Sequence, residues 1–307
     1  MRSLTRQFRP LLIFAWFYLL SASLGRTSNA QSGELPFTNP TAILEEMFGE
    51  SNEEEHRALS KVQVSVAEEK QLGEQILTSG LKQLKQSGID VEKTGRDVDY
   101  LQSLVATVKV NMKNRERYPT IAVLITRSPQ VDARSIPGGT LVFSEGLLDK
   151  AGSEAALIGI VGHELSHLDH GHQLLPIKRQ KLVKDGNSMN WLESKQAMQF
   201  MTRLWARPFR PEDEREADRD GVAWAFAAGY DPSEMANLFQ STAGDQAAAE
   251  QIPWASFFRS HPYNHERRLD ILKQVKQLKK LKPNVGTLFI GRENLQKRIS
   301  RKQETDQ

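Results

Sequence analysis

Cysteine is absent from the 307-residue sequence. Its absence excludes thiol catalysis, disulfide bonds, a lipid-anchored N-terminal cysteine and a zinc site with cysteine ligands, but it does not identify the compartment. Long apolar runs are also scarce, and no stretch beyond the N-terminus is long enough to span a membrane. Apolar residues make up 39% and charged residues 26% of the chain, which is typical of a folded protein with a sizeable core.

Residues 1–30 have the composition of a secretory signal peptide. Three arginines precede an apolar run over residues 11–20, and small residues follow it. A helix that spans the bilayer needs about 20 apolar residues, so cleavage after Ser23 or Ala30 is favoured over an uncleaved membrane anchor. The mature protein is therefore expected to be exported, to the periplasm of a bacterial envelope or to the medium.

The net charge of +3 is unevenly distributed. Residues 1–30 contain four basic and no acidic residues, and residues 271–307 contain ten basic and three acidic residues, so residues 31–270 carry a net charge of −8. The basic pI comes from the two ends and does not indicate a nucleic-acid-binding body. No nucleic-acid partner is expected.

The chain divides into three parts after the predicted signal peptide. Residues 31–60 contain Pro, Gly and an acidic run, which predicts a flexible leader with one short helix. Hydrophobic periodicity begins near residue 61 and predicts a folded domain over residues 61–272. Residues 273–307 form a basic C-terminal tail, for which a solvated terminus is the alternative to a docking segment.

Within the domain, hydrophobic spacing predicts several helices and a few strands. Apolar residues recur at helical spacing in two early stretches, and two short β-branched runs indicate buried strands. Ser153 is a suitable N-cap for a further helix that Gly171 and Pro176 end, and Pro211 opens a helix that ends near Gly229. This order predicts an α+β fold that is mainly helical. The predicted helices cover 68–85, 98–110, 153–171 and 211–229 and begin again at 233 and 266, and the predicted strands cover 121–125 and 140–143.

The segment that carries chemistry is His163-Glu-Leu-Ser-His167. Positions i and i+4 lie on one face of a helix, so both imidazoles can bind one metal ion. Glu164 projects beside them, where its carboxylate can take a proton from water. The alternative is a surface helix with two solvated histidines. The apolar run that precedes His163 argues against it, because that run buries the helix.

A catalytic zinc ion needs a third protein ligand and an open position. A third histidine at the spacing of the metzincins is missing, since Gln173 occupies that position. A carboxylate from a later helix is the common remaining solution, and Glu214 and Asp218 share one helical face. Ala217 and Gly221 are small enough to let this helix approach the first one. An acidic first turn that favours the helix dipole is the alternative interpretation.

The two motifs together, HExxH followed by ExxAD, resemble the BepA/HtpX-like zinc metallopeptidases, relatives of the integral-membrane CAAX prenyl proteases. Residues 135–143, with Pro-Gly-Gly, resemble the family's segment before an edge strand. Residues 69–73 resemble its opening helix, and His261-Pro with Arg267 resembles a late His-Pro element. The resemblance covers about residues 61–272 and implies a zincin-type domain with a small β-sheet.

The resemblance implies a role for each matching residue. His163, His167 and Glu214 would bind one zinc ion per chain, and Glu164 would be the general base. Two residues that share a helix but lie two positions apart point in different directions, so Glu216 is not expected to join Glu214. The resemblance also implies that Asp218 fixes the tautomer of a ligand histidine. His261 would stabilise the oxyanion or transiently cap the metal.

This sequence also departs from the family pattern. Residues 132–135 read Asp-Ala-Arg-Ser where the family commonly has Asn-Ala-Phe-Ala, and neither the membrane helices of one branch nor the tetratricopeptide repeats of BepA are recognisable. The expected function is a zinc metalloendopeptidase that acts on exported or envelope proteins in quality control. Its expected partners are unfolded or misassembled proteins, and peripheral association with the membrane or envelope is a further expectation. The alternatives are a chaperone-like client-binding protein on the same fold and a structural zinc domain.

Three further expectations concern regulation and substrate binding. Residues 178–210 lie between the two metal-bearing helices and are predicted to act as a lid, or alternatively as a packed helical hairpin. The basic tail could bind an acidic partner or an anionic membrane. The substrate is expected to add a strand to the edge of the sheet formed by residues 140–143.

Overall fold

A computed structural model describes residues 53–183, 209–242, 261 and 265–305. Helices dominate this part of the chain, as the sequence predicts, and a small sheet accompanies them. The predicted signal peptide and residues 184–208 lie outside the described residues. The helices are α1 (Glu53–Lys61), α2 (Val66–Gln86), α3 (Arg96–Lys109), α4 (Glu145–Lys150), α5 (Glu154–His170), α6 (Leu175–Val183), α7 (Pro211–Ala227), α8 (Ser233–Thr242), α9 (His265–Leu281), α10 (Arg292–Lys297) and α11 (Arg301–Thr305).

Within the described residues, the sheet has four strands in the order β1-β2-β4-β3. Strand β2 (Ala122–Thr126) and strand β4 (Thr140–Ser144) are parallel neighbours, and both were predicted. The other two are additional: β1 (Val91–Glu92) and β3 (Ala133–Ile136) each pair antiparallel with one of them. The expectation that residues 140–143 form the edge is therefore wrong. Strand β4 is paired on both sides, and β3 occupies the edge.

Strand β3 escaped prediction because its sequence does not alternate between apolar and polar residues. Arg134 and Ser135 are polar, yet all four residues of the strand are buried. The charge of Arg134 is compensated by Asp132, whose carboxylate lies 3.0 Å from the guanidinium. A buried ion pair of this kind lets a strand with a charged residue lie inside a protein.

Helix α5 is the central element of the fold. The Oγ atom of Ser153 accepts a hydrogen bond of 3.2 Å from the backbone N–H of Ala156, so the predicted N-cap is confirmed. Gly171 ends the helix in the left-handed conformation, with a φ of 68°. Pro176 does not end it as expected, because it lies in the first turn of the next helix, α6, where a missing N–H costs nothing.

Helix α7 crosses α5 at very short range. A Cβ atom on Gly221 would lie 2.7 Å from the carbonyl oxygen of Gly159, and one on Gly162 would lie 2.9 Å from the Cα atom of Gly221. Real Cβ atoms are not found at such distances, so the two backbones meet where neither helix has a side chain. The predicted close approach at Gly221 is confirmed, and it brings the two predicted metal-binding motifs together.

The basic tail packs onto the body rather than remaining solvated. The backbone N–H groups of Glu154 and Ala155 donate hydrogen bonds to the carbonyl oxygens of Gly291 (3.1 Å) and Ile290 (3.0 Å). The carboxylate of Glu154 in turn accepts a 2.9 Å bond from the backbone N–H of Arg301. The first N–H groups of a helix have no partner within it. The tail therefore supplies the partners that the first turn of α5 needs.

Part of the predicted leader also has regular structure. Helix α1 includes Glu55, whose carboxylate lies 2.6 Å from the guanidinium of Arg179 on α6. Across the ranges that the structure describes, no helix combines the length and the apolar character needed to cross a membrane.

Candidate metal centre and active site

Two buried helices contribute side chains to one polar cluster. His163 and His167 lie one turn apart on α5, and their Nε2 atoms are 3.1 Å from each other. Glu214, in the first turn of α7, places its carboxylate oxygens 3.6 Å and 3.5 Å from these two Nε2 atoms. All three side chains are at most 3% exposed. Histidine nitrogens and a carboxylate that converge in this way form a set of candidate metal ligands.

His261 lies on the fourth side of the cluster. Its Nδ1 atom is 3.0 Å from Nε2 of His163 and 2.8 Å from a carboxylate oxygen of Glu214. His163, His167, Glu214 and His261 each offer one ligand atom, and these four atoms all lie within 4.8 Å of one another. The Nε2 atom of His261 lies 3.3 Å from the carboxylate of Glu164, so this ring contacts both the candidate ligands and the candidate base.

Asp218 lies behind His163, on the side away from the cluster. Its Oδ1 atom is 3.0 Å from Nδ1 of His163. Arg267 on α9 donates to both carboxylate oxygens of Asp218, at 2.7 Å and 2.8 Å, and also lies 2.8 Å from Glu214. A carboxylate that accepts from Nδ1–H leaves the Nε2 lone pair of the histidine directed to the centre. Arg267 therefore fixes two carboxylates, a role that the sequence pattern alone did not indicate.

Glu164 shows why the cluster fits a metal ion with water. Its side chain is fully buried, and neither carboxylate oxygen accepts a hydrogen bond within the described ranges. A buried carboxylate without donors is costly. A water molecule held at the centre by the converging histidines would supply the missing donor. The residues present thus fit a metal ion, and Glu164 is the group that would receive a proton there.

The electrostatics of the cluster favour the ionised form of both α7 carboxylates. Burial by itself would raise the pKa of Glu214, but the charges of His261 and Arg267 hold that pKa well below its usual range. Burial would likewise raise the pKa of Asp218, but the charge of Arg267 outweighs this effect and lowers that pKa. Burial lowers the pKa of His167 well below its ordinary value, which favours the neutral imidazole that metal binding requires.

His167 is supported on its outer side by two residues for which the sequence analysis predicts no role. The Nδ1 atom of His172 lies 2.9 Å from Nδ1 of His167, and the ring of Phe209 stacks on His167 at a centroid distance of 3.9 Å. Glu216 is turned away from the buried cluster, and its carboxylate lies 3.3 Å from Nε2 of His172. The spacing of His172, five residues after His167, gives no signal for this contact, because the helix ends between them.

The buried cluster combines a histidine pair on one helix, a glutamate from a second helix and a carboxylate beside the pair. This is the arrangement expected of a metallopeptidase site. The profile of Peptidase family M48 matches residues 96–275 of this chain. The chain belongs to Peptidase family M48.

Comparison with individual proteins agrees with this class. The chain is 24% identical over 169 residues to the beta-barrel assembly-enhancing protease of Yersinia pestis, a match that covers 50% of this chain and 34% of that protein. It is 24% identical over 194 residues to the protein of the same name from Escherichia coli K12, with 59% and 39% covered. It is 29% identical over 130 residues to the mitochondrial metalloendopeptidase OMA1 of Arabidopsis thaliana, with 38% and 25% covered. The matched part is thus a quarter to two-fifths of each relative's length.

Proposed function

We propose that this protein is an exported zinc metalloendopeptidase whose metal ligands are His163, His167 and Glu214. The observation that carries the proposal is the convergence of three buried ligand atoms beside a buried carboxylate, Glu164, that has no hydrogen bond within the described ranges. Two nitrogens and one carboxylate, with one side left for water or substrate, are typical of catalytic zinc and unlike the all-oxygen sites of magnesium or calcium.

A zinc ion held there would lower the pKa of water and polarise the carbonyl group of the scissile peptide bond. The residues of this chain then have separate tasks. Glu164 accepts a proton from the attacking water and later donates it to the leaving amine. Asp218 holds the Nδ1–H of His163, so that the ring cannot rotate away from the centre.

His261 has a position that suits two tasks. Because it contacts both Glu214 and Glu164, it can occupy the open side of the centre in the resting protein. The charges of these two carboxylates outweigh burial and raise the pKa of His261, so the ring is a candidate hydrogen-bond donor to the developing oxyanion. These two tasks require the ring to move between the metal side and the substrate side.

The edge strand β3 is the proposed site for the peptide substrate. It lies next to α5 in the fold, and Ser135 on it accepts a 2.9 Å hydrogen bond from Gln173, just beyond α5. A peptide can add to such an edge through main-chain hydrogen bonds. Since all four residues of β3 are buried, binding requires a local opening. The lid expected over residues 178–210 stays a prediction, because residues 178–183 belong to α6 and residues 184–208 lie outside the described residues.

The substrate class is proposed from the relatives and the N-terminus together. Two of the matched proteins are named for enhancing the assembly of β-barrels. Residues 1–30 predict export. We therefore propose unfolded or misassembled envelope proteins as substrates. Cell fractionation with N-terminal sequencing of the mature protein tests the location, and recovery of the uncleaved chain in the cytoplasm would contradict it.

The decisive experiment is Glu164→Gln in the purified protein. The substitution removes the base but no ligand, so cleavage of unfolded casein is expected to fall by roughly 10²–10⁴-fold while one zinc per chain is retained. Glu116→Gln, on the exposed surface, is the matched control and is expected to behave as wild type. Loss of zinc from Glu164→Gln would make Glu164 a ligand, and undiminished cleavage would remove it from catalysis.

A further inference from the structure

A second group of metal-binding side chains lies on the outer side of α5 and α7. We define the outer cluster as His170, His172 and Glu216. One carboxylate oxygen of Glu216 lies 3.5 Å from Nδ1 of His170 and 3.3 Å from Nε2 of His172. Two ligands at about 2.1 Å from a tetrahedral ion are roughly 3.4 Å apart. Both separations from Glu216 therefore suit a transition metal, and all three ligand atoms lie within 4.8 Å of one another.

His170 is oriented as a metal ligand. Its Nε2 atom lies 2.8 Å from the carboxylate of Asp220, which also accepts a 2.8 Å hydrogen bond from Ser166. With Nε2–H bound to Asp220, the Nδ1 lone pair is directed to Glu216. Histidine ligands in metal sites characteristically donate their other N–H to a carboxylate in this way.

The outer cluster is open to solvent, unlike the buried one. The side chains of His170 and Glu216 are 23% and 38% exposed, whereas that of His172 is 7% exposed. Two of the three ligands are thus accessible to a metal ion from solvent. Exposure also weakens binding, because the ligands are solvated before the ion arrives and fewer neighbouring groups fix them.

His172 joins the outer cluster to the buried one. Its Nδ1 atom faces Nδ1 of His167 at 2.9 Å, so only one of the two nitrogens can carry a proton. When His167 offers Nε2 to the buried centre, its Nδ1–H donates to His172, whose own proton then lies on Nε2 and faces Glu216. A metal ion at the outer cluster takes the Nε2 lone pair of His172. The proton must then move to Nδ1, where it opposes the Nδ1–H of His167.

We propose that His170, His172 and Glu216 form a second site for a divalent transition-metal ion. The ion is of the zinc class, since two imidazoles and one carboxylate suit zinc better than magnesium or calcium. Metal binding at the outer cluster does not depend on the proposed function of the buried centre.

Metal binding is measured first, in the Glu164→Gln variant, so that catalysis cannot interfere with the measurement. Equilibrium dialysis of metal-free protein against Zn²⁺ is expected to give two ions per chain, the second at least tenfold weaker than the first. Adding His170→Gln is expected to leave one ion per chain. His265→Gln, an exposed histidine outside both clusters, is the matched control and should keep two.

A second ion that persists in His170→Gln, or the loss of one ion from His265→Gln as well, overturns the outer site. If one outer ion binds but the first ion and the peptidase activity are absent, the proposed function fails and the outer site stands.

Discussion

The buried cluster and the outer cluster contain the same kinds of groups at similar separations. In the buried cluster, histidine nitrogens lie 3.5–3.6 Å from Glu214, and in the outer cluster they lie 3.3–3.5 Å from Glu216. The side chains of the first are at most 3% exposed, whereas those of the second reach 38%. Ligand type and spacing are therefore not what separates the two sites. The difference is burial: the buried cluster lies in a region of low dielectric, beside an ionised and fixed carboxylate. Because of this environment, only the buried cluster suits catalysis.

The supporting carboxylates differ in the same way. Asp218 supports His163 and is itself held by Arg267, which is buried. Asp220 supports His170 and is held by the hydroxyl of Ser166. A charged, buried donor fixes a carboxylate more firmly than a neutral hydroxyl. The comparison predicts that the buried centre tolerates substitution less well than the outer cluster.

The largest expected difference is between Glu214→Gln and Glu216→Gln. Both change one carboxylate on α7 to an amide. The Glu214 change should remove the tight zinc ion and with it all cleavage of casein, because a neutral amide replaces the proposed carboxylate ligand, whose pKa is held far below its usual range. The Glu216 change should leave the tight ion in place and affect only the weak one. Metal content after gel filtration measures both, and the reverse pattern would exchange the two clusters.

The next comparison is Asp218→Asn against Asp220→Asn. Loss of a carboxylate behind a ligand histidine typically costs 10–100-fold in metal affinity or activity. We expect Asp218→Asn to weaken the tight zinc ion by about this factor, and Asp220→Asn to change it less than about threefold by the same reasoning. Competition with a chelator measures the affinity. Equal effects of the two substitutions would show that the depth of burial does not matter.

A smaller effect is expected from the contact that brings the two helices together. Gly221→Ala places a methyl group 2.7 Å from the backbone oxygen of Gly159, so α7 must move away from α5. Overpacking of this kind typically lowers the free energy of unfolding by about 1–3 kcal/mol. Urea denaturation of the metal-free protein measures it. The control is Ala223→Ser, which changes a half-buried residue of α7. Gly152→Ala would not serve, because the φ of 75° at Gly152 is itself unfavourable for alanine.

The smallest effect concerns protonation in the metal-free protein. Burial lowers the pKa of His167, whereas the hydrogen bond to Asp220 raises the pKa of His170. His170 should therefore stabilise the fold below its unfolded pKa of about 6.5, and this contribution should vanish as pH rises through its folded pKa. NMR titration of the histidine rings, assigned with His170→Gln, should show His170 titrating above pH 6.5 and His167 below it. A single common midpoint would contradict the difference in environment.

Local sequence was sufficient for the helices that carry the motifs. Ser153 and Gly171 bracket α5 because a hydroxyl cap and a left-handed glycine act within a few residues of themselves. The edge strand β3 could not be predicted in this way. Its Arg134 is buried beside Asp132, whose carboxylate lies 3.0 Å away, and its edge position depends on which strand pairs with β4.

The packing of the tail shows the same limit. Its ten basic residues against three acidic ones indicate a solvated or membrane-bound segment if charge alone is considered. The tertiary structure instead uses its backbone, at Ile290 and Gly291, to accept hydrogen bonds from the start of α5. Backbone groups carry no sequence signal, so this contact is visible only in the folded chain.

The family resemblance, the two motifs and the shared face of His163 and His167 can all be predicted from the sequence, because a spacing of four residues on a helix fixes geometry locally. Which distant groups meet these residues depends on how the helices pack. Asp218 lies 55 positions from His163 and His261 lies 98 positions away, yet both contact it directly. Such contacts depend on how α5, α7 and the following chain pack. The contact between His172 and His167, which joins two clusters of like composition, exists because the chain turns sharply at Gly171.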